Sequence, residues 1–478
     1  MSKASQAPTT LGAITEDKVA QSGPPAKGEF VYVDIGSIDI ERKRIAEPSS
    51  VQVEKAPSRA KQVLRSGDVL VSMTRPNRNA VAIVPDELDG AIGSTGFHVL
   101  RARDVEPGWL LHAVQTNDFV DAMCGLVQGA LYPAVRPKDI RNYPVTIPPR
   151  PVQRQIVAEI EKQFTRLDAG VGALRRVQAN LKRYRAAVLK AACEGRLVPT
   201  EAELQKSGTS GQKSKAKSKG SHGVQEVVSS NLTSPTTFET GERLLARILA
   251  DRRKHWTGRG KYKEPTPPDT AKLSKLSEGW TWATAEQLTL LITSGSRGWG
   301  EFYSDSGPLF IRAQDIKTDS LKLAGIARVA LPEKAEGMRS SVENSDMLIT
   351  ITGANVTKSA IVRGLSEVAF VSQHVALLKP VFKDASPFLF LWTVSPAHGR
   401  KLLEQWAYGA GKPGLSLEQI RSLPIAIPPL AEQKRIVAEV ERRLSVIDEL
   451  EALATANLTR ATRLRQSILK QAFNGRSM

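Results

Sequence analysis

The feature of this sequence that most constrains its fold is an internal duplication. Residues 132–197 align with residues 412–477 at a constant offset and without a gap. The first copy contains Ile147-Pro148-Pro149, then Gln153, then the segment IVAEIE, and the second copy repeats these elements as Ile-Pro-Pro, Gln and IVAEVE. Self-similarity at a fixed distance indicates that the chain is built from two related halves.

Each copy predicts one long helix. After the Pro-Pro pair, apolar residues recur at alternating steps of three and four, which is the spacing of a helical seam. The seam consists of Ile156, Ile160, Phe164, Leu167, Val171, Leu174, Leu181, Tyr184 and Val188 in the first copy, and of Ile436, Val440, Leu444, Ile447, Leu458, Leu464 and Ile468 in the second. A helix over 151–194 would be roughly 65 Å long. We expect the two helices to pair with each other; the alternative is that the seams are core faces of an ordinary helical bundle.

The region before each helix predicts short β-strands. Several β-like runs bounded by Gly, Pro and Asn lie in each region. They cover 30–35, 67–73, 80–84 and 97–100 in the first region, and 308–312, 345–351, 360–362 and 375–378 in the second. The order of the runs corresponds, whereas the sequences diverge. The two regions therefore predict one shared scaffold with different surface detail.

The charge of the chain indicates a polyanionic partner. Lys and Arg number 67 against 49 Asp and Glu, which gives a formal net charge of +18. Nucleic acid is the expected partner. An anionic membrane surface is disfavoured, because the sequence has no long apolar span and no signal peptide. The two cysteines, Cys124 and Cys193, are too few for a disulfide framework and fit a reducing cytoplasm, where we expect them to be buried thiols.

The order of these elements resembles that of the specificity subunits of type I restriction-modification systems. The resemblance rests on the duplicated succession of a divergent β-rich region, Ile-Pro-Pro with a following Gln, the segment IVAE and a long helix, and it covers most of the chain beyond about residue 26. It implies an α+β protein with two α/β target-recognition domains, each followed by a long helix, and an antiparallel coiled coil formed by the two helices. One departure is that Gly279-Trp280-Thr281-Trp282 has no clear counterpart in the first half.

The resemblance also implies a division of the chain into six segments. These are a flexible N-terminus (1–25), target-recognition domain 1 (26–145), a central repeat helix (146–197), a flexible basic linker and lead-in (198–276), target-recognition domain 2 (277–425) and a distal repeat helix (426–478). The linker contains the Ser-, Gly- and Lys-rich tract Lys206–Gly220, which has too few apolar residues to fold. It also contains Arg252-Arg253-Lys254 in a predicted short helix, for which a solvated face and a phosphate contact both remain open.

The function that the resemblance implies is recognition of a bipartite site on double-stranded DNA. The helices would dock two methyltransferase subunits, restriction subunits would join through them, and the helices would set the spacing between the two half-sites. No catalytic, metal or cofactor site is expected on this chain; S-adenosylmethionine, ATP and Mg²⁺ are expected in the partner subunits, which hold the DNA adenine methyltransferase and endonuclease activities. The sequence agrees, because it lacks a G-x-S-x-G nucleophile motif, an H-E-x-x-H pair and an Asn-Pro-Pro-Tyr segment.

Base reading requires hydrogen-bond donors and acceptors on exposed loops. Loops that follow predicted strands or precede the Ile-Pro-Pro motif supply them. The candidate DNA-binding residues are Arg75, Asn77, Arg78, Gln128, Arg297, Trp299, Gln314, Asn355, Lys358, Tyr408 and Lys412. We expect His98 and His374, which fall in matching strand segments, to be structural.

Two other functions are compatible with parts of the sequence. An enzyme that methylates or cuts DNA alone would need catalytic motifs, which are absent. A coiled-coil scaffold with a basic surface would bind nucleic acid without sequence preference.

Overall fold

The computed structural model describes residues 8–127, 133–207, 239–256, 261–332, 337–407, 409 and 413–473. The chain forms two units. The first comprises Met1–Val177 with Leu453–Met478, and the second comprises Gln178–Ala452. Each unit therefore combines one β-rich domain with parts of two long helices.

The domain of the first unit contains two sheets. One sheet has the strand order Phe97–Leu100, Val69–Ser72, Val81–Ile83, Arg44–Ile45 and Ile38–Asp39, and the other has the order Ser49–Gln52, Glu29–Val33, Ile92–Ser94 and Ala60–Val63. The strand Val69–Ser72 is buried on both faces, because Val69 and Val71 pack in the cluster around Trp109 while Leu70 packs against Phe97. The helices are Pro107–Ala113, Asn117–Gly125 and Pro137–Arg141, and 3-10 turns cover Leu11–Ala13, Ile35–Ser37, Val53–Lys55, Pro76–Arg78 and Asp86–Leu88.

The first domain begins before residue 26. The strand Thr9–Thr10 pairs antiparallel with Pro144–Val145, and Leu11 is fully buried in the domain core. This corrects the expected boundary of the flexible N-terminus at residue 25. A two-residue strand has no periodicity that a sequence pattern could reveal, and its partner lies at the opposite end of the domain sequence.

The domain of the second unit repeats this topology. One sheet has the strand order Thr289–Ser294, Val375–Pro380, Met347–Thr350 and Ser359–Ile361, and another has the order Ala327–Val329, Tyr303–Ile311, Ala369–Val371 and Ser341–Val342; shorter pairs join Thr281–Thr284 to Pro424–Ile427 and Ile316–Lys317 to Ser320–Leu321. The helices are Ala285–Leu288, Ser386–Val394, Gly399–Trp406 and Leu417–Arg421, and 3-10 turns cover Thr270–Lys272, Trp299–Phe302, Met338–Ser340 and Lys383–Ala385.

The two domains share most of their strands, but the edge strand Thr289–Ser294 has no counterpart among the described strands of the first domain, and the pair Ile316–Lys317 with Ser320–Leu321 stands apart from the sheet. In both, one strand pair is parallel: Glu29–Val33 with Ile92–Ser94, and Tyr303–Ile311 with Ala369–Val371. The pair Thr9–Thr10 with Pro144–Val145 is the counterpart of Thr281–Thr284 with Pro424–Ile427. The strands predicted from the sequence are confirmed in both domains, and Phe97–Leu100 keeps its predicted bounds.

A helix of the expected linker belongs to the second unit. The helix Gly241–Lys254 buries Leu244 and Ile248 in the core of that unit. A Cβ atom on Gly241 would lie 2.1 Å from the carbonyl oxygen of Ile427, so only glycine permits this approach. The linker is thus structured over this stretch, while the lysines of the Lys206–Gly220 tract from Lys213 onwards lie outside the described residues.

Two arginines of the basic cluster in that helix, Arg252 and Arg253, make contacts within the protein. Arg252 is buried, its Nε donates to the carbonyl oxygen of Thr289 at 2.8 Å, and its guanidinium lies 5.5 Å from the centre of the Tyr262 ring. Arg253 forms an ion pair with Glu264. These two arginines therefore hold the lead-in segment against the helix.

The two long helices span Arg150–Cys193 and Leu430–Phe473. In the first unit, Ile160 and Phe164 of the first long helix form one apolar cluster with Ile468, Leu469 and Ala472 of the second. In the second unit the roles are exchanged: Val188, Leu189 and Ala192 share a core with Ile436 and Val440. In each unit the beginning of one helix meets the end of the other, which is antiparallel pairing.

The same ion pair links the helices in both units. Arg465 pairs with Asp168 in the first unit, and Arg185 pairs with Asp448 in the second. In the duplicated sequence Arg465 aligns with Arg185 and Asp448 aligns with Asp168, so these are equivalent positions. The Arg465 guanidinium also lies 4.1 Å from the centre of the Phe164 ring. The duplication therefore produces an equivalent contact in each unit.

The glutamine of the repeated motif lies in the first turn of each long helix. Gln153 Nε2 donates to the carbonyl oxygen of Pro148 at 2.8 Å, and Gln433 Nε2 donates to that of Pro428 at 2.9 Å. Both side chains are buried. Gln153 Oε1 also accepts from the backbone N–H of Glu106 at 2.8 Å. The Ile-Pro-Pro and Gln motif is thus a joint between domain and helix.

Two of the predicted seam residues face solvent. Tyr184 is 47% exposed and Leu464 is 48% exposed, whereas their neighbours Leu181, Val188, Ala461 and Ile468 are buried. A straight helix of 3.6 residues per turn drifts relative to a 3.5-residue repeat, so positions selected by the repeat rotate out of the contact. Both corrections fall at equivalent positions of the two copies. None of the helices that the structure describes is both long enough and apolar enough to cross a membrane.

Candidate nucleic-acid interface

Each domain presents one loop with the same backbone geometry. The first loop (residues 73–80) follows the strand Val69–Ser72, and the second loop (residues 351–358) follows the strand Met347–Thr350. In the first loop, Arg75 N donates to the carbonyl oxygen of Pro133 at 2.8 Å, and in the second, Gly353 N donates to that of Pro413 at 2.9 Å. Pro413 aligns with Pro133 in the duplicated sequence, so the segments before the long helices hold both loops in the same way.

Left-handed residues lie at both ends of each loop. Arg75 (φ 50°) corresponds to Gly353 (φ 81°), and Asn79 (φ 45°) corresponds to Thr357 (φ 71°). A non-glycine residue in this region costs roughly 1–3 kcal/mol and persists where its surroundings enforce it. Thr357 is buried, and its N–H donates to the carbonyl oxygen of Thr350 at 2.9 Å. The fixed ends of the two loops place Asn77 and Asn355 at equivalent positions.

The first loop exposes three of the candidate residues. Arg75, Asn77 and Arg78 are exposed on and beside the 3-10 turn Pro76–Arg78. Among the residues that the structure describes, none forms a hydrogen bond or an ion pair with these three side chains. Two guanidinium groups and one amide are thus available on a short, fixed turn.

The second loop uses its polar side chains differently. Asn355 Nδ2 donates to the carbonyl oxygen of Ala313 at 3.3 Å, and Asn355 Oδ1 accepts from Lys358 Nζ at 2.8 Å. The Asn355 amide is therefore engaged at both ends and joins the second loop to the neighbouring turn. On that turn Gln314 is exposed. Lys358 keeps further donors on its ammonium group, because one of its three N–H bonds is used here.

Trp299 does not lie on the surface. Its ring packs 5.3 Å from that of Phe370 and 5.7 Å from that of Phe310, and its side chain is almost completely buried. This corrects its assignment as a DNA-binding residue, because the large apolar ring completes a small core under the sheet. Arg297, two residues earlier, is exposed.

Three further candidates lie outside the described residues: Gln128, Tyr408 and Lys412.

The two histidines of the strands are not equivalent. His98 lies inside Phe97–Leu100, whereas His374 precedes Val375–Pro380, and the residue that matches His374 in the first domain is Gly96. Burial, with the nearby Arg141 charge, lowers the pKa of His98 to about 4. His374 Nδ1 lies 2.7 Å from Thr352 Oγ1, which ties the second loop to the strand. Both histidines are thus part of the domain interior.

The described residues contain no group of three or more His, Cys, Asp or Glu side chains that could hold a metal ion. Cys193 is fully buried, and this burial raises the pKa of its thiol to about 12, so the thiol is not a nucleophile. The chemistry that the described loops offer is hydrogen bonding and charge.

Comparison with known proteins agrees with this geometry. Residues 340–459 match the family model of the type I restriction modification DNA specificity domain. The EcoBI specificity subunit of Escherichia coli is 31% identical over 166 residues, which is 34% of this chain and 34% of that subunit. The StySPI specificity subunit of Salmonella potsdam is 21% identical over 435 residues, which is 89% of this chain and 78% of that subunit. The chain is similar to specificity subunits of type I restriction-modification systems.

The similarity in fold extends over both halves of the chain. A solved chain from a structure titled for complex assembly and conformational transition of the type I R-M system has a TM-score of 0.66 and 23% identity, and the match covers 98% of this chain and 97% of that chain. The match to the EcoBI subunit spans only about a third of that relative. The fold is therefore shared over nearly the whole length of both chains.

Arg297 and Trp299 are two positions apart, but Arg297 lies on the surface and Trp299 lies in the core. Substitutions at the two positions should therefore have different effects. We expect Arg297→Ala to weaken duplex binding by about 1–3 kcal/mol without changing stability, since an exposed arginine contributes donors and charge. We expect Trp299→Ala to lower the free energy of unfolding by about 3–5 kcal/mol, because it empties a packed aromatic site. Chemical denaturation and DNA titration measure both. A Trp299→Ala protein of unchanged stability would contradict the burial.

Proposed function

We propose that the chain is the DNA-reading subunit of a type I restriction-modification complex and performs no chemistry itself. It recognises a bipartite target on double-stranded DNA and directs methyltransferase and restriction subunits to it. One observation carries this proposal: two loops of equal backbone geometry present different side chains in two domains that are joined to the same pair of helices. A scaffold that binds nucleic acid without preference is not favoured, because the matched relatives are specificity subunits.

The two loops suit two different half-sites. The first offers Arg75, Asn77 and Arg78, and the second offers Lys358 beside Gln314, with an engaged Asn355. Arginine pairs with guanine and amide side chains pair with adenine in the major groove, while lysine and arginine also grip phosphates. Two loops of different composition held in one geometry therefore read two different short sequences.

The long helices suit two copies of one partner. Exposed side chains recur at aligned positions of the two copies: Arg183 and Arg463, Tyr184 and Leu464, Lys190 and Lys470. Equivalent surfaces are what two identical subunits would bind. We assign these surfaces to two methyltransferase subunits, through which restriction subunits join. S-adenosylmethionine, ATP and Mg²⁺ would act in those partners, in the cytoplasm where the DNA lies.

The proposal is tested by exchanging one domain. Residues 8–145 are replaced by the corresponding segment of another family member, and the complex with its methyltransferase is offered a library of duplexes. We expect one half-site of the selected sequence to change and the other half-site to stay, since each loop reads independently. The matched control exchanges residues 277–425 instead and should change the other half-site. Selection of duplexes without any half-site preference by the parent complex would contradict the proposal.

The docking surfaces are tested by two equivalent substitutions. Tyr184→Asp and Leu464→Asp each place a charge on an exposed apolar side chain, so the subunit itself should remain folded. We expect each variant to retain one methyltransferase subunit and the double variant to retain none, because a buried unpaired charge opposes association. Mass measurement of the purified complexes gives the stoichiometry. Full assembly of the double variant would place the docking surface elsewhere.

A further inference from the structure

Lys43 lies on a β-hairpin that the sequence patterns did not single out. The hairpin pairs Ile38–Asp39 with Arg44–Ile45, and Lys43 occupies a left-handed conformation (φ 54°) just before the second strand. Its ammonium group donates to the carbonyl oxygen of Asn79, the left-handed residue that ends the first loop. Burial and the nearby Arg465 charge lower the pKa of Lys43 to about 8. The ammonium group is thus turned away from water and toward the loop backbone.

The hairpin and the loop are each connected to a long helix. Glu41, two residues before Lys43, forms an ion pair with Arg175 of the first long helix. On the other side, Asn79 Nδ2 donates to the carbonyl oxygen of Gln115 at 3.3 Å. The same carbonyl oxygen accepts from Gln466 Nε2 of the second long helix at 3.1 Å. Asn79 is therefore linked indirectly to both long helices, through the hairpin on one side and through Gln115 on the other.

The second domain lacks this arrangement in its described part. The residue that corresponds to Lys43 is Asp319, which is also left-handed (φ 62°) and also precedes the second strand of its hairpin. Asp319 pairs with Arg400 of the helix Gly399–Trp406 instead of reaching the second loop. The second loop is held by its own contact between Lys358 and Asn355, by the bond from Asn355 to Ala313 and by the contact of Thr352 with His374. The two loops thus share a backbone but differ in what holds it.

We propose that Lys43 is a positioning residue for reading of the first half-site: it fixes the loop that carries Arg75, Asn77 and Arg78 without contacting DNA. This inference rests on the proposed function. Without the Lys43 ammonium group, the carbonyl oxygen at the end of the first loop loses its charged donor and the loop backbone becomes more mobile. Hydrogen bonds to base edges require donors in fixed positions. The second half-site depends on no lysine of this kind.

The test compares Lys43→Met with the wild-type subunit in the full complex with its methyltransferase. Binding is measured on duplexes that differ in one base of the first half-site, or in one base of the second. We expect Lys43→Met to lower discrimination at the first half-site about tenfold and to leave the second unchanged. The slope of log affinity against log salt should also stay unchanged, since a residue that touches no phosphate releases no counterion.

Matched variants separate the other outcomes. Lys61→Met removes an exposed lysine from the same domain and should leave discrimination unchanged. Lys43→Gly also removes the ammonium group and suits the left-handed backbone at this position (φ 54°), so it should fold and lower first-half-site discrimination as Lys43→Met does. It decides the matter on its own if Lys43→Met does not fold. A salt slope that falls by about 1 in Lys43→Met would show a phosphate contact and overturn positioning, as would unchanged discrimination in both Lys43 variants. A wild-type complex without half-site preference would contradict the proposed function instead.

Discussion

The contact between the two long helices is the interaction on which the rest of the structure depends. In each unit the beginning of one helix packs on the end of the other, and each domain is attached where this contact is made. The apolar residues supply most of the stabilisation, at roughly 1.5–3 kcal/mol for each fully buried Ile, Leu or Phe. The ion pairs Arg465–Asp168 and Arg185–Asp448 are partly exposed and each contributes at most about 1 kcal/mol. These ion pairs form only when the two helices have this register, so they favour this register over others.

Sequence duplication explains how one chain supports two domains with different loops. The matched helices begin in the same way, because Gln153 in one half and Gln433 in the other donate to the carbonyl oxygen of the first proline of the Ile-Pro-Pro motif. Matched backbone bonds to Pro133 and Pro413 then hold both loops in one conformation. Once the backbone is fixed in this way, the side chains on the loops can diverge without loss of the fold. The divergence between Arg75-Pro76-Asn77-Arg78 and Gly353-Ala354-Asn355-Val356 is therefore compatible with two different half-sites on one scaffold.

Much of the fold could be predicted from the sequence, because the signals are periodic and repeated. The long helices follow from the seams, and strands such as Phe97–Leu100 follow from apolar runs bounded by turns. Features without a pattern escaped prediction. The strand Thr9–Thr10 is too short, the burial of Trp299 depends on Phe310 and Phe370 from other strands, and the exposure of Leu464 depends on helical drift. The loop candidates followed from residue type and from position beside predicted strands, and neither could show that Asn355 is engaged within the protein.

If two different loops read one divided DNA sequence, the pattern of methylation in the cell must show it. Sequencing of modified bases in cells that carry this chain with its methyltransferase partner should find methylated adenines within a motif of two specified half-sites separated by a fixed number of unspecified bases. A continuous motif, or methylation whose sequence context is the same without this chain, would contradict it.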